Sequence, residues 1–397
     1  MRLEDVCTVF TDGDWIESKD QSEKGIRLVQ TGNIGEGIYL EKESRAKYIP
    51  EDTFKRLKCT EIFPGDILVS RLPEPVGRAC IIPEKTERMI TAVDCTICRP
   101  DEALISKDYL CYFMRSNAYY MRLLGNVTGT TRKRISRKNL GNVELKVPTK
   151  EEQKTVVERL DCLVKVIDSR TKELQLLDDL IKARFIEMFG DVGTGVFNYE
   201  TYKLGDVAKV GSSHRVFTTE FVESGIPFYR GTEIGELANG QKPLDPYYIS
   251  EEHYVRLASD DTEPKVGDLL MPSICNKGQV WLVDTEEPFY YKDGRVLCIS
   301  PDRTVFNSKF LQYFMREKTL IEYPKMGSGS TFAEFKIFLL KDMDVLVPPI
   351  ELQEQFADFA QATDKSKFQK YNATILSHNI YVFETRRRFI CKPTLII

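Results

Sequence analysis

The chain has 397 residues, 42% of them hydrophobic and 29% charged, with a formal charge of −4 and a pI of about 5.7. This composition excludes wholesale disorder and collagen-like repeats, and points to two or three compact units. Its acidity, taken alone, argues against nucleic acid as a partner.

No apolar run approaches the ~20 residues that cross a bilayer. Met1-Arg-Leu-Glu-Asp-Val places two acids where a secretory signal needs an apolar stretch, so a cytoplasmic location is expected. The ten cysteines then read as reduced thiols. Cys95 and Cys98 have metal-like spacing, but their alternating context reads as a strand, and no second pair completes a zinc site.

Residues 1–148 read as short strands punctuated by Gly and Pro, among them Asp66-Ile-Leu-Val-Ser, Ala79-Cys-Ile-Ile, Asp94-Cys-Thr-Ile-Cys and Val143-Glu-Leu-Lys-Val. A helix is expected over Lys107 to Leu124, with Leu110, Phe113 and Met114 on one face. Between it and Pro148, one stretch gathers Arg132, Lys133, Arg134, Arg137 and Lys138 beside hydroxyls and Gly129, with no acid. Such a loop suits phosphate oxygens, although a solvated basic turn would carry the same residues.

From Glu151 to Phe189 there is no Gly and no Pro, which predicts a helical rod of roughly 58 Å. Steps of three and four pick out Val156, Leu160, Leu163, Ile167, Arg170, Leu174, Leu177, Ile181, Arg184 and Met188. Apolar residues hold all of these positions but the two arginines, the narrow stripe of a coiled-coil seam rather than of a helix lying on a core. Asp191-Val-Gly-Thr-Gly then allows a turn.

Beyond it the chain repeats itself at an offset of about 200 residues. Leu3-Glu-Asp-Val returns as Leu204-Gly-Asp-Val, Gly65-Asp-Ile-Leu as Gly267-Asp-Leu-Leu, and Tyr112-Phe-Met-Arg as Tyr313-Phe-Met-Arg. Gly129-Thr-Thr parallels Gly329-Ser-Thr, and Val147-Pro148 with Glu151 and Gln153 parallels Val347-Pro348 with Glu351 and Gln353. This is a tandem duplication, and two such helices in one chain are expected to pair antiparallel. The segmentation is 1–148 and 201–347 for two globular copies, 149–190 for the first spacer helix, 191–200 for a linker, and 348–397 for a second helix and tail. In the second helix the seam dissolves through Tyr371-Asn-Ala-Thr-Ile-Leu-Ser-His-Asn, which predicts a frayed or partner-dependent strand.

The copies differ in charge. Residues 1–150 hold 25 Lys/Arg against 22 Asp/Glu, whereas residues 196–347 hold 17 against 23. Either scattered cations of the second copy converge in the fold, or a partner supplies its phosphate contacts.

No phosphate loop, dinucleotide fingerprint, metalloprotease helix, nucleophile elbow or methyltransferase motif is present, so binding is favoured over catalysis. Two heads on a fixed spacer suit a polymer with its own repeat, and double-helical DNA is the obvious case. The duplicated Leu-x-Asp-Val starts, the Gly-Asp-Ile/Leu-Leu and Tyr-Phe-Met-Arg segments, and Val-Pro-x-x-Glu-x-Gln opening a long helix together resemble the DNA specificity subunit of type I restriction–modification systems. That resemblance implies an α/β (α+β) fold with two target-recognition domains separated by an antiparallel coiled coil. It implies a non-catalytic subunit that reads a split target on double-stranded DNA and recruits two methyltransferase subunits and further restriction subunits. S-adenosylmethionine, ATP and Mg would belong to those partners, with no cofactor and no membrane for this chain. Within that frame the candidate DNA contacts are the basic loop with its counterpart Lys336; Arg71 and Arg78 with Asn276 and Lys277; and Arg27 and Arg230 with Gln30, Asn33 and Thr232. Two other readings compete: a duplicated protein-binding scaffold, and a restriction or modification enzyme with an unrecognised active site.

Overall fold

The computed structural model describes residues 1–129, 133–258, 262–326 and 333–389. It divides into two units, Met1–Lys172 with Lys370–Ile397, and Glu173–Gln369. Each unit therefore takes one globular copy, one half of a long helix Lys150–Phe189, and one half of a second long helix Ile350–Phe389.

In the first unit, Cys7–Asp12, Cys95–Pro100, Ile67–Ser70 and Ala79–Ile81 form an antiparallel sheet in that order. A second sheet runs Tyr48–Ile49, Ile26–Val29, Met89–Thr91, Glu61–Ile62, with the middle pair parallel. The second unit repeats the first sheet as Ala208–Gly211, Val296–Pro301, Leu269–Pro272, Trp281–Leu282. It repeats the second as Tyr247–Ile249, Ile226–Tyr229, Tyr290–Tyr291, again with one parallel pair. The central strands are buried along their length, so they read as apolar runs rather than alternations. Cys95 and Cys98 are both buried in one of them, and burial pushes the Cys95 thiol up to about 12.

The expected helix over residues 107–124 is two helices, Lys107–Met114 and Asn117–Leu124. Ser116 breaks it: its hydroxyl accepts from the Tyr119 N–H at 3.2 Å and starts the second helix afresh. In the second unit Ser308–Glu322 is continuous.

The Val-Pro-x-x-Glu-x-Gln segments have one physical reason in both units. The buried Gln153 carboxamide accepts from the Ser106 N–H (2.8 Å) and donates to the carbonyls of Leu104 and Pro148 (2.9 Å each). Gln353 does the same with Asn307 N–H (3.0 Å), Val305 (2.9 Å) and Pro348 (2.8 Å). One side chain thus pairs three backbone groups that burial would otherwise leave without partners, and locks the start of a long helix to the preceding loop.

Within each unit the helix halves run antiparallel. In the first, Val156 and Leu160 share a core with Phe389, which meets Tyr109 and Phe113 edge-on at 5.4 and 5.7 Å. Further along, the Arg170 guanidinium donates to the Ala373 carbonyl at 2.6 Å and also bonds the Ser377 hydroxyl. Leu163 is packed at the edge of the same core, and Ile167 is partly covered. In the second unit Phe185 packs on Phe310 and Phe356, at 5.8 and 5.3 Å, and Lys367 pairs with Asp178. Ile181 is buried there, Met188 packs against the core, and Leu174 and Leu177 are partly covered.

The second long helix is not frayed within the described residues. It is unbroken from Ile350 to Phe389, although it has no run of large apolar seam residues. Small and hydroxyl residues take the covered positions instead: Ala360, Thr363, Ser377 and Thr385 are buried. Hydroxyls of Thr363 (2.8 Å), Ser377 (3.0 Å) and Thr385 (2.9 Å) donate to carbonyls three or four residues earlier, so they bury without a polar penalty. The large side chains lie about half a turn away and face outward. Leu376 and Phe383 are each 61% exposed, and Tyr371, Ile375 and Ile380 join them.

Candidate nucleic-acid interface

In the first unit the basic segment is a hairpin, not an open loop. Arg134 and Ile135 pair with Thr128 and Val127, and the Ile135 N–H donates to the Arg71 carbonyl at 3.2 Å. This fixes the hairpin at the end of strand Ile67–Ser70. Arg134 forms an ion pair with Asp94 at 2.8 Å, and Arg137 comes within 3.8 Å of Asp12. Lys133 and Lys138 are exposed. Arg132 lies outside the described residues.

Four candidates of this unit have internal partners. Arg27 is buried, stacks over Tyr48 at 5.3 Å and approaches Glu41 at 3.7 Å. Arg71 is buried, donates to the Val93 carbonyl at 2.5 Å and lies 3.3 Å from Asp12; burial lowers the pKa of its guanidinium. Arg78 donates to four carbonyls, those of Thr31, Ile34, Leu72 and Pro75, at 2.7–3.2 Å. Asn33 is buried, accepting from Gln30 N–H and donating to the Leu40 carbonyl, both at 3.0 Å. These four side chains are tied to neighbouring loops and strands of their own unit. Of the three guanidinium groups only that of Arg78 spends most of its donors on carbonyls.

The second unit brings together cations that are distant in sequence. A cleft of about 1030 Å³ is lined by Arg230, Thr232, Gln279, Lys292, Arg295 and Lys336, with Glu334 among them. Arg230 is held by Glu233, at 2.5 and 3.2 Å, and stacks over Tyr247 at 4.4 Å. Arg295 pairs with Glu334, and Lys336 reaches the same carboxylate at 2.7 Å. Lys336, and then Arg295, hold that carboxyl below the usual carboxylate range. Asn276 and Lys277 are exposed on the adjoining turn, where Lys277 N–H donates to the Gln279 carboxamide at 3.0 Å. An acidic module therefore presents a cationic cleft. Sequence reasoning missed Lys292 and Arg295, which sit among Asp293, Glu286 and Glu287.

The cleft falls at the place of the basic hairpin. Phe335 N–H donates to the Ser273 carbonyl (2.8 Å) as Ile135 N–H does to Arg71, and Ser273 N–H donates to the Arg295 carbonyl as Arg71 N–H does to Asp94, both at 2.9 Å. Arg295 thus occupies the position of Asp94, and Glu334 that of Arg134.

Residues 1–178 match the family model described as type I restriction modification DNA specificity domain. A type I restriction enzyme specificity subunit of Haemophilus influenzae is 26% identical over 240 residues, 59% of this chain and 59% of its own length. The MjaX specificity subunit of Methanocaldococcus jannaschii is 22% identical over 388 residues, 91% of this chain and 85% of its own. Over residues 1–178 this chain resembles the type I restriction modification DNA specificity domain, and the relatives named here are specificity subunits. The fold agrees. A solved S subunit from M. genitalium aligns over 98% of this chain and 96% of its own, with a TM-score of 0.55 and 13% identity. A structure reported for assembly and conformational transition of a type I system aligns over the same shares with a TM-score of 0.58 and 15% identity. Among the described residues, no helix is long and apolar enough to cross a membrane, and no cluster of three His, Cys, Asp or Glu is placed to hold a metal.

Proposed function

We propose that this chain is a type I specificity subunit that reads a two-part target on double-stranded DNA, one part per copy, and carries no catalytic centre of its own. The observation that supports this most is the convergence of Arg230, Lys292, Arg295 and Lys336 on one cleft of a module that is acidic overall. Cations gathered against the average charge are what a polyanion requires. In the first copy Lys133, Arg134, Arg137 and Lys138, with Arg132, serve the same end.

Recruitment of two methyltransferase subunits and of restriction subunits belongs to the same reading. It is supported by the outward apolar face of the second long helix, where Ile375, Leu376, Ile380 and Phe383 face water. A helix face of this kind fits an amphipathic helix of a partner. S-adenosylmethionine, ATP and Mg would be bound by those partners.

The test is selection of the full chain on a randomised duplex library at several salt concentrations. Two short sequence elements with a fixed gap, and affinity falling steeply with salt, are expected. Binding indifferent to salt and sequence would favour the protein-scaffold reading. Methylation or cleavage by the purified chain alone would favour the enzyme reading.

A further inference from the structure

The two copies retain an arginine–carboxylate pair at one structural position but exchange which segment carries which charge. In the first, Arg134 on the hairpin pairs with Asp94 at 2.8 Å; in the second, Glu334 in the hairpin's place pairs with Arg295. The backbone bonds around Arg71 and Ser273 make the positions equivalent.

Stability gives little reason for such a pair. The first pair is open to water, with side chains 46% (Arg134) and 34% (Asp94) exposed, and such pairs contribute little; in the second, Arg295 is 58% exposed and Glu334 18%. Nor is the pair a good phosphate grip, since its carboxylate repels phosphate oxygens. Its chemistry suits base edges. A guanidinium fork matches the O6 and N7 acceptors of guanine, and a carboxylate accepts from the N4 amino group of cytosine. The carboxylate also holds the fork in one orientation before binding.

We propose that Asp94–Arg134 and Arg295–Glu334 are the base-reading pairs of their copies, each specifying a G·C pair in its own half of the target. Lys133 and Lys138 in one copy, and Lys292 and Lys336 in the other, then serve the flanking phosphates. The exchange of charges reverses the strand direction in which guanine and cytosine are met. This inference rests on the proposed reading of duplex DNA.

Library selection with the full chain tests it. Wild-type protein should return a G·C pair in each half. Arg295→Lys should lose about tenfold or more of the preference at one position of one half, with the salt slope and the other half unchanged. Glu334→Gln should do the same at that position or its neighbour, and Arg134→Lys should act on the opposite half. Thermal unfolding of each variant should match wild type, which separates lost reading from lost fold. A wild-type motif that the lysine variants leave intact, or weaken uniformly, would overturn the pairs as readers while leaving DNA recognition in place. No enriched motif from wild-type protein would instead remove the proposed function, and this inference with it.

Discussion

Duplication gave the two copies one backbone plan, and the comparison shows which parts of that plan are structural. Gln153 and Gln353 make the same three hydrogen bonds, and Asn33 and Glu233 both accept from the backbone three residues earlier, at Gln30 and Arg230. One difference falls at the candidate interface. Arg78, in the position of Gln279, ties two loops together through four carbonyls, whereas Gln279 borders an open cleft. The backbone bonds of Gln153, Gln353, Asn33 and Glu233 are kept, whereas Arg78 and Gln279 differ in both partners and size. That is the pattern expected of one scaffold carrying two different readings.

The largest effect should come from breaking what the copies share. Gln353→Leu leaves one N–H and two carbonyls without partners in a buried place and should destabilise the second unit by about 3 kcal/mol. Gln153→Leu should do the same to the first. Two-transition denaturant unfolding would show it, and a loss confined to one variant would mean that the shared geometry is not equally stressed.

The long helices offer a second contrast. Within the first unit, the outward side of the first helix carries Glu158, Arg159, Lys165 and Asp168, while that of the second carries Ile375, Leu376, Ile380 and Phe383. Leu376→Glu with Phe383→Glu should weaken capture of methyltransferase subunits roughly 100-fold, the scale of losing central interface anchors, and leave the thermal midpoint unchanged. Glu158→Ala with Lys165→Ala should leave both unchanged. Equal loss from the two helices would show that this contrast does not decide the partner's site.

A smaller change is expected from the cleft. Lys292→Ala with Lys336→Ala should reduce DNA affinity about tenfold and lower the salt slope by one to two units. Alanine at Arg132, Lys133 and Arg134 should act similarly through the first copy. An unchanged slope in either case would remove that surface from the interface.

How far the sequence could lead is seen in these same residues. The repeat, the α/β class and the two long helices were legible because they depend on order and period, which a single chain displays. The helix seam was legible only in part. Phe185 and Phe189, both buried, sit one step beside Arg184 and Met188, and a strict three–four count passes them by. In the second helix the covered stripe between Phe356 and Phe389 is built from Ala, Ser and Thr, so an apolar seam dissolves there in the sequence. Burial of Arg27 and Arg71 left no mark in their neighbours, because each depends on strands distant in sequence. Lys292 and Arg295 were hidden by adjacent acids. One signal was available: aligning the copies sets Arg134 against Glu334 and Asp94 against Arg295, opposite charges at both members of a pair.

That exchange leads to the smallest expected effect. Asp94→Arg combined with Arg134→Glu gives the first copy the arrangement of the second. Its free energy of unfolding should change by less than about 0.5 kcal/mol, since a solvent-open pair contributes little whichever segment holds the cation. Asp94→Arg alone should cost more, near 1 kcal/mol, because it places a third guanidinium beside Arg134 and the buried Arg71, whose remaining carboxylate neighbour is Asp12 at 3.3 Å. A double-mutant cycle measures both. If the double variant is as unstable as the single, the orientation of the pair is fixed by the packing of its own copy, and the charge difference between the copies is structural rather than a matter of what each one reads.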